Sequence, residues 1–149
     1  MNDVKALVRK VLRDGFVLNL GIADNEGPWV ASVVYVFDDQ LSLYWISQPS
    51  SRHSQAIAAS GKVAGTIVAE HATDKERALQ LAGTAVALPE EASLAREQAL
   101  QKKRGMPIPA QAGDILKDGY QWYKLTPDRI ELIQNELFGY ERQCFLVGK

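Results

Sequence analysis

The densest run of groups able to do chemistry in this sequence is Ser47-Gln48-Pro49-Ser50-Ser51-Arg52-His53. It lies between an apolar stretch that reads as a strand, Leu41–Ile46, and a short helix expected over about Ser54–Ala59. A further strand, Val63–Ala69, follows Gly61. A strand that runs through a serine-rich turn into a helix aims several backbone N–H groups at one point, and the positive end of the helix dipole adds to them. Ser50 and Ser51 add hydroxyls, and Arg52 adds a planar fork that grips phosphate oxygens in pairs. The chemistry expected of this turn is the binding of a cofactor's phosphate. A plain helix cap also accounts for Ser51, with Arg52 and His53 as solvated first-turn residues. Cations in a first turn oppose the dipole, however, and an anion between Arg52 and His53 would relieve that opposition.

Elsewhere the reactive residue types are sparse. Two histidines and one cysteine, widely spaced, form no metal-ligand pattern. His71 sits in a polar loop without an evident partner, so there is no Ser-His-Asp arrangement. Cys144 is either a reactive thiol or, as its neighbours Phe145 and Leu146 favour, a buried and inert one. Tyr140 and Arg142, next to Gly139, form either a mobile lip on a cleft or an ordinary surface loop.

The elements that would position the turn follow from length and pattern. A chain of 149 residues is a single-domain length, and one domain over residues 1–149 is expected. A net charge of −1 gives no basic field for nucleic acid. No apolar run reaches bilayer length, and charge interrupts the N-terminal segment, so neither a membrane span nor a signal peptide is expected. A lone cysteine suits a reducing, cytoplasmic setting.

Val4, Leu7, Val8, Val11 and Leu12 recur at helical spacing after a possible cap at Asn2 or Asp3, and Gly15 ends that helix. Phe16–Ile22, Trp29–Phe37 and Leu41–Ile46 read as a three-strand meander with turns at Asp24–Pro28 and Asp38–Gln40. Ala78–Leu88 is a strand in which Gly83 marks a bulge or a close backbone approach. A helix is expected from Pro89-Glu90-Glu91 to Gly105, with Lys102, Lys103 and Arg104 complementing the dipole at its end. After an irregular connection come two strands, Tyr120–Leu125 and Arg129–Gln134, joined by Thr126-Pro127-Asp128, and a short strand or tail at Cys144–Val147. Six or seven antiparallel strands with a few helices predict a mainly β chain, closed or partly closed as a barrel.

In this order the pieces resemble the flavin-binding split barrels of the pyridoxamine 5′-phosphate oxidase type, and within them a small uncharacterised branch. The marks are a hairpin, the strand LYWIS, Ser51-Arg52-His53 at a helix start, the strands GKVAGTIV and LQLAGTAVAL, a helix rich in Glu and Ala, and a late WYKLTPDRIELI hairpin. The resemblance implies a Greek-key split barrel and a homodimer with an FMN site in a cleft at each subunit interface. By it, Ser51, Arg52 and His53 match the phosphate turn, with His53 where lysine is common. A histidine's charge titrates near neutrality, so affinity would fall as pH rises. Ala31, Ser32, Val33 and Val34 match the strand along the flavin ring. Ile46, Ser47 and Gln48 match the strand end beneath it. Trp122 matches a position that approaches the flavin from the other subunit, or is a core aromatic.

The resemblance also marks departures. Pyridoxamine phosphate oxidases carry an arginine and a lysine on the strand before the turn, and Trp29–Phe37 has neither. Their closing segment with Trp, Arg and His has no counterpart in Arg142–Lys149. The expected activity is therefore FMN-dependent oxidation or reduction of some other small molecule. The alternatives are a flavin-binding store or sensor without turnover, or a barrel that holds haem or a deazaflavin.

Overall fold

The computed structural model of the chain describes residues 3–148. Asp3 caps the first helix, α1 (Val4–Asp14), by accepting the Ala6 N–H at 3.2 Å, and Asn2 lies outside the described residues. The Val8, Val11 and Leu12 side of α1 is buried against the sheet. The chain then forms β1 (Val17–Asp24), β2 (Gly27–Val34), β3 (Val36–Phe37), β4 (Leu43–Ser47), α2 (Arg52–Ala59), β5 (Lys62–Glu70) and β6 (Arg77–Leu88). It continues through α3 (Leu94–Arg104), β7 (Gln121–Gln134), α4 (Asn135–Phe138) and β8 (Gln143–Leu146).

All pairings are antiparallel, in the order β2-β1-β5-β6-β7-β4-β3, with β8 added to β7. The two edge strands of that order, β2 and β3, are separated in sequence by Tyr35 alone, so the sheet curls until its ends share one chain segment. Alternation of buried and half-buried residues along β1 as far as Ile22, and along β4, turns Leu18, Leu20, Leu43 and Trp45 inward. Trp45 stacks on Tyr123 with ring centroids 5.9 Å apart. A second, smaller core of Val36, Leu100 and Trp122 lies beneath α3, so this helix covers the outer face of β7 and β4.

The architecture is mainly β, as expected, with eight strands among the described residues in place of six or seven. The first three expected strands do pair in series, but the second, Trp29–Phe37, breaks at Tyr35, whose carbonyl accepts the Lys103 ammonium at 2.8 Å: β2 pairs with β1, and β3 pairs with β4, whose other edge pairs with β7. The two late strands are likewise one, β7, running straight through Thr126-Pro127-Asp128. Pro127 has no N–H to give a ladder, and it sits opposite Gly83 at a register shift, where β6 and β7 touch backbone to backbone. A Cβ on Gly83 would lie 2.2 Å from the Thr126 carbonyl oxygen, which accounts for the glycine.

Helix α3 begins later than Pro89, because Ser93 is the residue that caps it, accepting the Arg96 N–H at 3.3 Å. It ends at Gly105 in a left-handed conformation (φ 70°), as its sequence implied. The fully buried Glu97 carboxylate accepts the Ser93 and Gly113 N–H groups at 3.0 and 2.8 Å and ties the following loop to the helix. That loop delivers Asp118, whose carbonyl accepts the Gln48 side-chain amide at 3.3 Å, and Tyr120 to the turn after β4.

Candidate functional site

Strands β2 and β4 are not hydrogen-bonded to each other, and the end of each faces a cavity of about 330 Å³. Its walls are Ser32, Val33 and Val34 from β2, Ile46, Ser47 and Gln48 from the end of β4, Ser51 and His53 from the start of α2, Arg104 from the end of α3, and Tyr120. Small-molecule sites commonly span about 300–1,000 Å³, so one chain supplies a cavity at the lower end of that range.

The polar end is built around the α2 cap. Ser51 accepts the Ser54 N–H at 3.3 Å, and its hydroxyl lies 2.9 Å from the Gln48 carbonyl and 2.7 Å from the Ser54 hydroxyl. His53 Nε2 lies 2.9 Å from Ser47 Oγ and 3.4 Å from Ser51 Oγ, so imidazole and hydroxyls form one cluster at the cavity wall. Burial holds the His53 imidazole below its ordinary range, which favours the neutral ring at pH 7. Val34 and Ile46 make the other end apolar.

Arg52 behaves differently from the sequence expectation. Its Nε and Nη2 donate to the Asp24 carboxylate at 2.8 and 2.9 Å, Nη2 reaches the Gly27 carbonyl at 3.5 Å, and the guanidinium stacks 4.6 Å from the Trp29 ring centroid. The cation that opposes the α2 dipole is therefore answered by Asp24. Arg52 does not line the cavity.

Eight of the eleven expected positions come together here: Ser32, Val33, Val34, Ile46, Ser47, Gln48, Ser51 and His53. Ala31, which pairs with Leu20 on β1, is not among the residues that line the cavity. Trp122 also lies outside it. It pairs across from Ile46 but is fully buried beneath α3 with Leu100, the place of a core aromatic. Cys144 is exposed, contrary to its sequence expectation, because Phe145 is the β8 residue that turns to the core. Tyr140 is exposed and donates to Asp74 at 2.9 Å, and neither it nor Arg142 borders the cavity.

Two lining residues were missed by the sequence reading, Arg104 and Tyr120. The Lys102-Lys103-Arg104 run was legible as a helix end, but nothing local says that this helix end folds against the turn after β4. Among the described residues no cluster of three or more His, Cys, Asp or Glu side chains is placed to hold a metal ion. No helix among the described residues is long and apolar enough to cross a membrane.

A family model described as pyridoxamine 5′-phosphate oxidase matches residues 5–134. A UPF0306 protein of Yersinia pseudotuberculosis is 34% identical over 72 residues, 48% of this chain and 49% of that protein, so the chain spans about half the length of the curated relatives it matches. General Stress Protein 26 of Bacillus anthracis superposes with a TM-score of 0.69 at 14% identity, covering 96% of this chain and 98% of the other. A heme binding protein of Mycobacterium smegmatis gives 0.70 at 18% identity, over 98% of this chain and 59% of the other. At these identities the likeness is one of fold.

Proposed function

The chain belongs to the pyridoxamine 5′-phosphate oxidase family, and from that premise we propose that it is an FMN-binding flavoprotein acting as an oxidoreductase on a small molecule. The observation that carries this reading is the single cavity that gathers a serine-histidine cluster at a helix start with the apolar ends of β2 and β4. A flavin mononucleotide has that same division, a phosphate on a polar tail and a flat apolar ring. Ser51, His53 and the first N–H groups of α2 would hold the phosphate. Val34 and Ile46 would pack on the ring, with Ser32, Ser47 and Gln48 offering hydrogen bonds at its edge. When bound, the flavin supplies hydride or electron transfer, and the protein's part is to orient it and to exclude water. The modest size of the cavity supports a homodimer in which a second copy completes each site. A haem would draw its axial ligand from the same place, and His53 Nε2 is already engaged by Ser47, which favours the flavin.

The test is an absorbance spectrum of the purified protein titrated with FMN. A two-band flavin spectrum that saturates supports the reading, and its bleaching by a reduced nicotinamide followed by reoxidation separates an enzyme from a store. A protein that ignores FMN at high micromolar concentration, or purifies with a haem Soret band, overturns it.

A further inference from the structure

Two arginines flank the turn after β4, and their surroundings are opposite. Arg52 is neutralised: two of its nitrogens face the Asp24 carboxylate at 2.8 and 2.9 Å, and Trp29 covers one face of its guanidinium. These contacts tie the start of α2 to the β1–β2 hairpin, since Asp24 ends β1 and Trp29 lies on β2. Arg104 lies in the cavity wall with Ser51, His53 and Tyr120, and its side-chain partner is a neutral amide oxygen, Gln101 Oε1, at 3.3 Å. Among the described residues no carboxylate forms an ion pair with it. Arg104 stays exposed as a residue, yet partial desolvation pulls its guanidinium below the ordinary range, with Tyr120 opposing the shift.

A cavity wall with a serine-histidine cluster, a helix start and an unneutralised guanidinium is chemically matched to an anion. We propose that Arg104 is the cation that binds the phosphate monoester of the cavity's ligand, and that Arg52 is a positioning residue that holds the turn against the β1–β2 hairpin. The guanidinium's fork suits a phosphate better than a lysine would, because it offers paired N–H groups to paired oxygens. The identity of the ligand as FMN rests on the reading above, whereas the role of Arg104 toward phosphate does not.

The experiment compares dissociation constants for FMN and riboflavin, which differ by the phosphate alone, in the wild-type chain, Arg104→Gln, Arg104→Lys and Arg52→Gln. The wild type should prefer FMN by at least about tenfold, the size expected of a charge-assisted contact. Arg104→Gln should bring that ratio close to one with riboflavin affinity unchanged, and Arg104→Lys should restore part of it. Arg52→Gln should keep the ratio and lower the melting temperature. A ratio that survives in Arg104→Gln, or collapses in Arg52→Gln, overturns the assignment. If the wild type binds neither flavin, the FMN reading fails, and inorganic phosphate then decides the role of Arg104. Thermal stabilisation of the wild type by millimolar phosphate that is lost in Arg104→Gln upholds it, and equal or absent stabilisation in both chains overturns it. Arg104 is exposed and outside both cores, so its variants are expected to fold.

Discussion

Arg52 and Asp24 hold each other at two points, Nε to Oδ2 at 2.8 Å and Nη2 to Oδ1 at 2.9 Å. The Arg52 hydrogen bond holds the Asp24 carboxyl below the usual carboxylate range. A depressed carboxylate pKa contributes stability that is present above the unfolded value, about 3.9, and lost as pH falls through the folded value. Asp24→Asn should therefore be less stable than the wild type by a constant margin from pH 7 down to about pH 5, and that margin should close as the medium is taken below the carboxylate range. Urea midpoints across a pH series measure it. A margin that stays open at the acid end would show that Asp24 acts through something other than its charge.

Gly83 should tolerate no side chain. A Cβ there would stand 2.2 Å from the Thr126 carbonyl oxygen and 2.7 Å from Pro127 Cα, and both obstacles are backbone. Overpacking costs about 1–3 kcal/mol where side chains can yield, and here the strands themselves must part, so Gly83→Ala should lie at or beyond the upper end of that range. Gly21→Ala is the comparison. Its Cβ would meet only the Ala64 carbonyl at 3.4 Å, and it should change the denaturation midpoint far less. Equal midpoints for the two variants would contradict the close approach of β6 and β7.

These two contacts also mark how far the sequence could be read. The Gly83 close approach, the Ser51 cap, the Gly105 stop and most strand positions are local matters of backbone freedom and side-chain alternation, and they were legible. Pairing across the barrel was not. Nothing near Leu43 says that β4 will lie beside β7, and Thr126-Pro127-Asp128 carries the marks of a turn although β7 runs through it opposite Gly83. The candidate site divides the same way. Eight expected positions lie on two strand ends and one helix start, which sit close in sequence or follow from strand order. Arg104 and Tyr120 reach the cavity only because α3 folds onto the outer face of β7, and Arg52 leaves it because Asp24 arrives from the far end of β1.

His53 gives the binding reading a pH signature. Burial lowers the pKa of its imidazole, so near neutrality the ring is neutral, and a bound phosphate would raise that pKa again. Proton uptake on binding makes affinity rise as pH falls toward the unperturbed histidine value of about 6.5. FMN affinity should therefore increase from pH 8 to pH 6.5 in the wild type and lose that trend in His53→Gln. Arg104 faces the same cavity and keeps its charge over this range. The phosphate itself loses charge near pH 6, which works in the opposite sense and is common to both chains. Riboflavin should show no trend in either. A riboflavin trend, or an FMN trend that survives in His53→Gln, would assign the pH effect to another group.

Lys103 sets a pH dependence of stability on the other side of neutrality. Its ammonium donates to the Tyr35 carbonyl at 2.8 Å and lies 3.5 Å from the Tyr35 ring centroid, at the one residue between the two edge strands. Burial pulls its pKa down to about 8. A lysine of the unfolded chain titrates near 10.4, so between those values the unfolded state binds the proton that the folded state has released. Stability due to this group must then rise with pH across that window, by on the order of 2 kcal/mol once solvent screening of a partly exposed ammonium is allowed for. Lys103→Met removes the rise whatever its effect at pH 7, where the lost charge burial and the unpaired Tyr35 carbonyl act against each other. Tyrosine ionisation in the unfolded chain lowers both stabilities alike at the alkaline end and cancels in the difference. The measurement is the wild-type minus Lys103→Met unfolding free energy at pH 7.5 and pH 10. An unchanged difference would place the Lys103 ammonium in solvent, and a difference that moves in favour of the wild type would place it where the Tyr35 contact puts it.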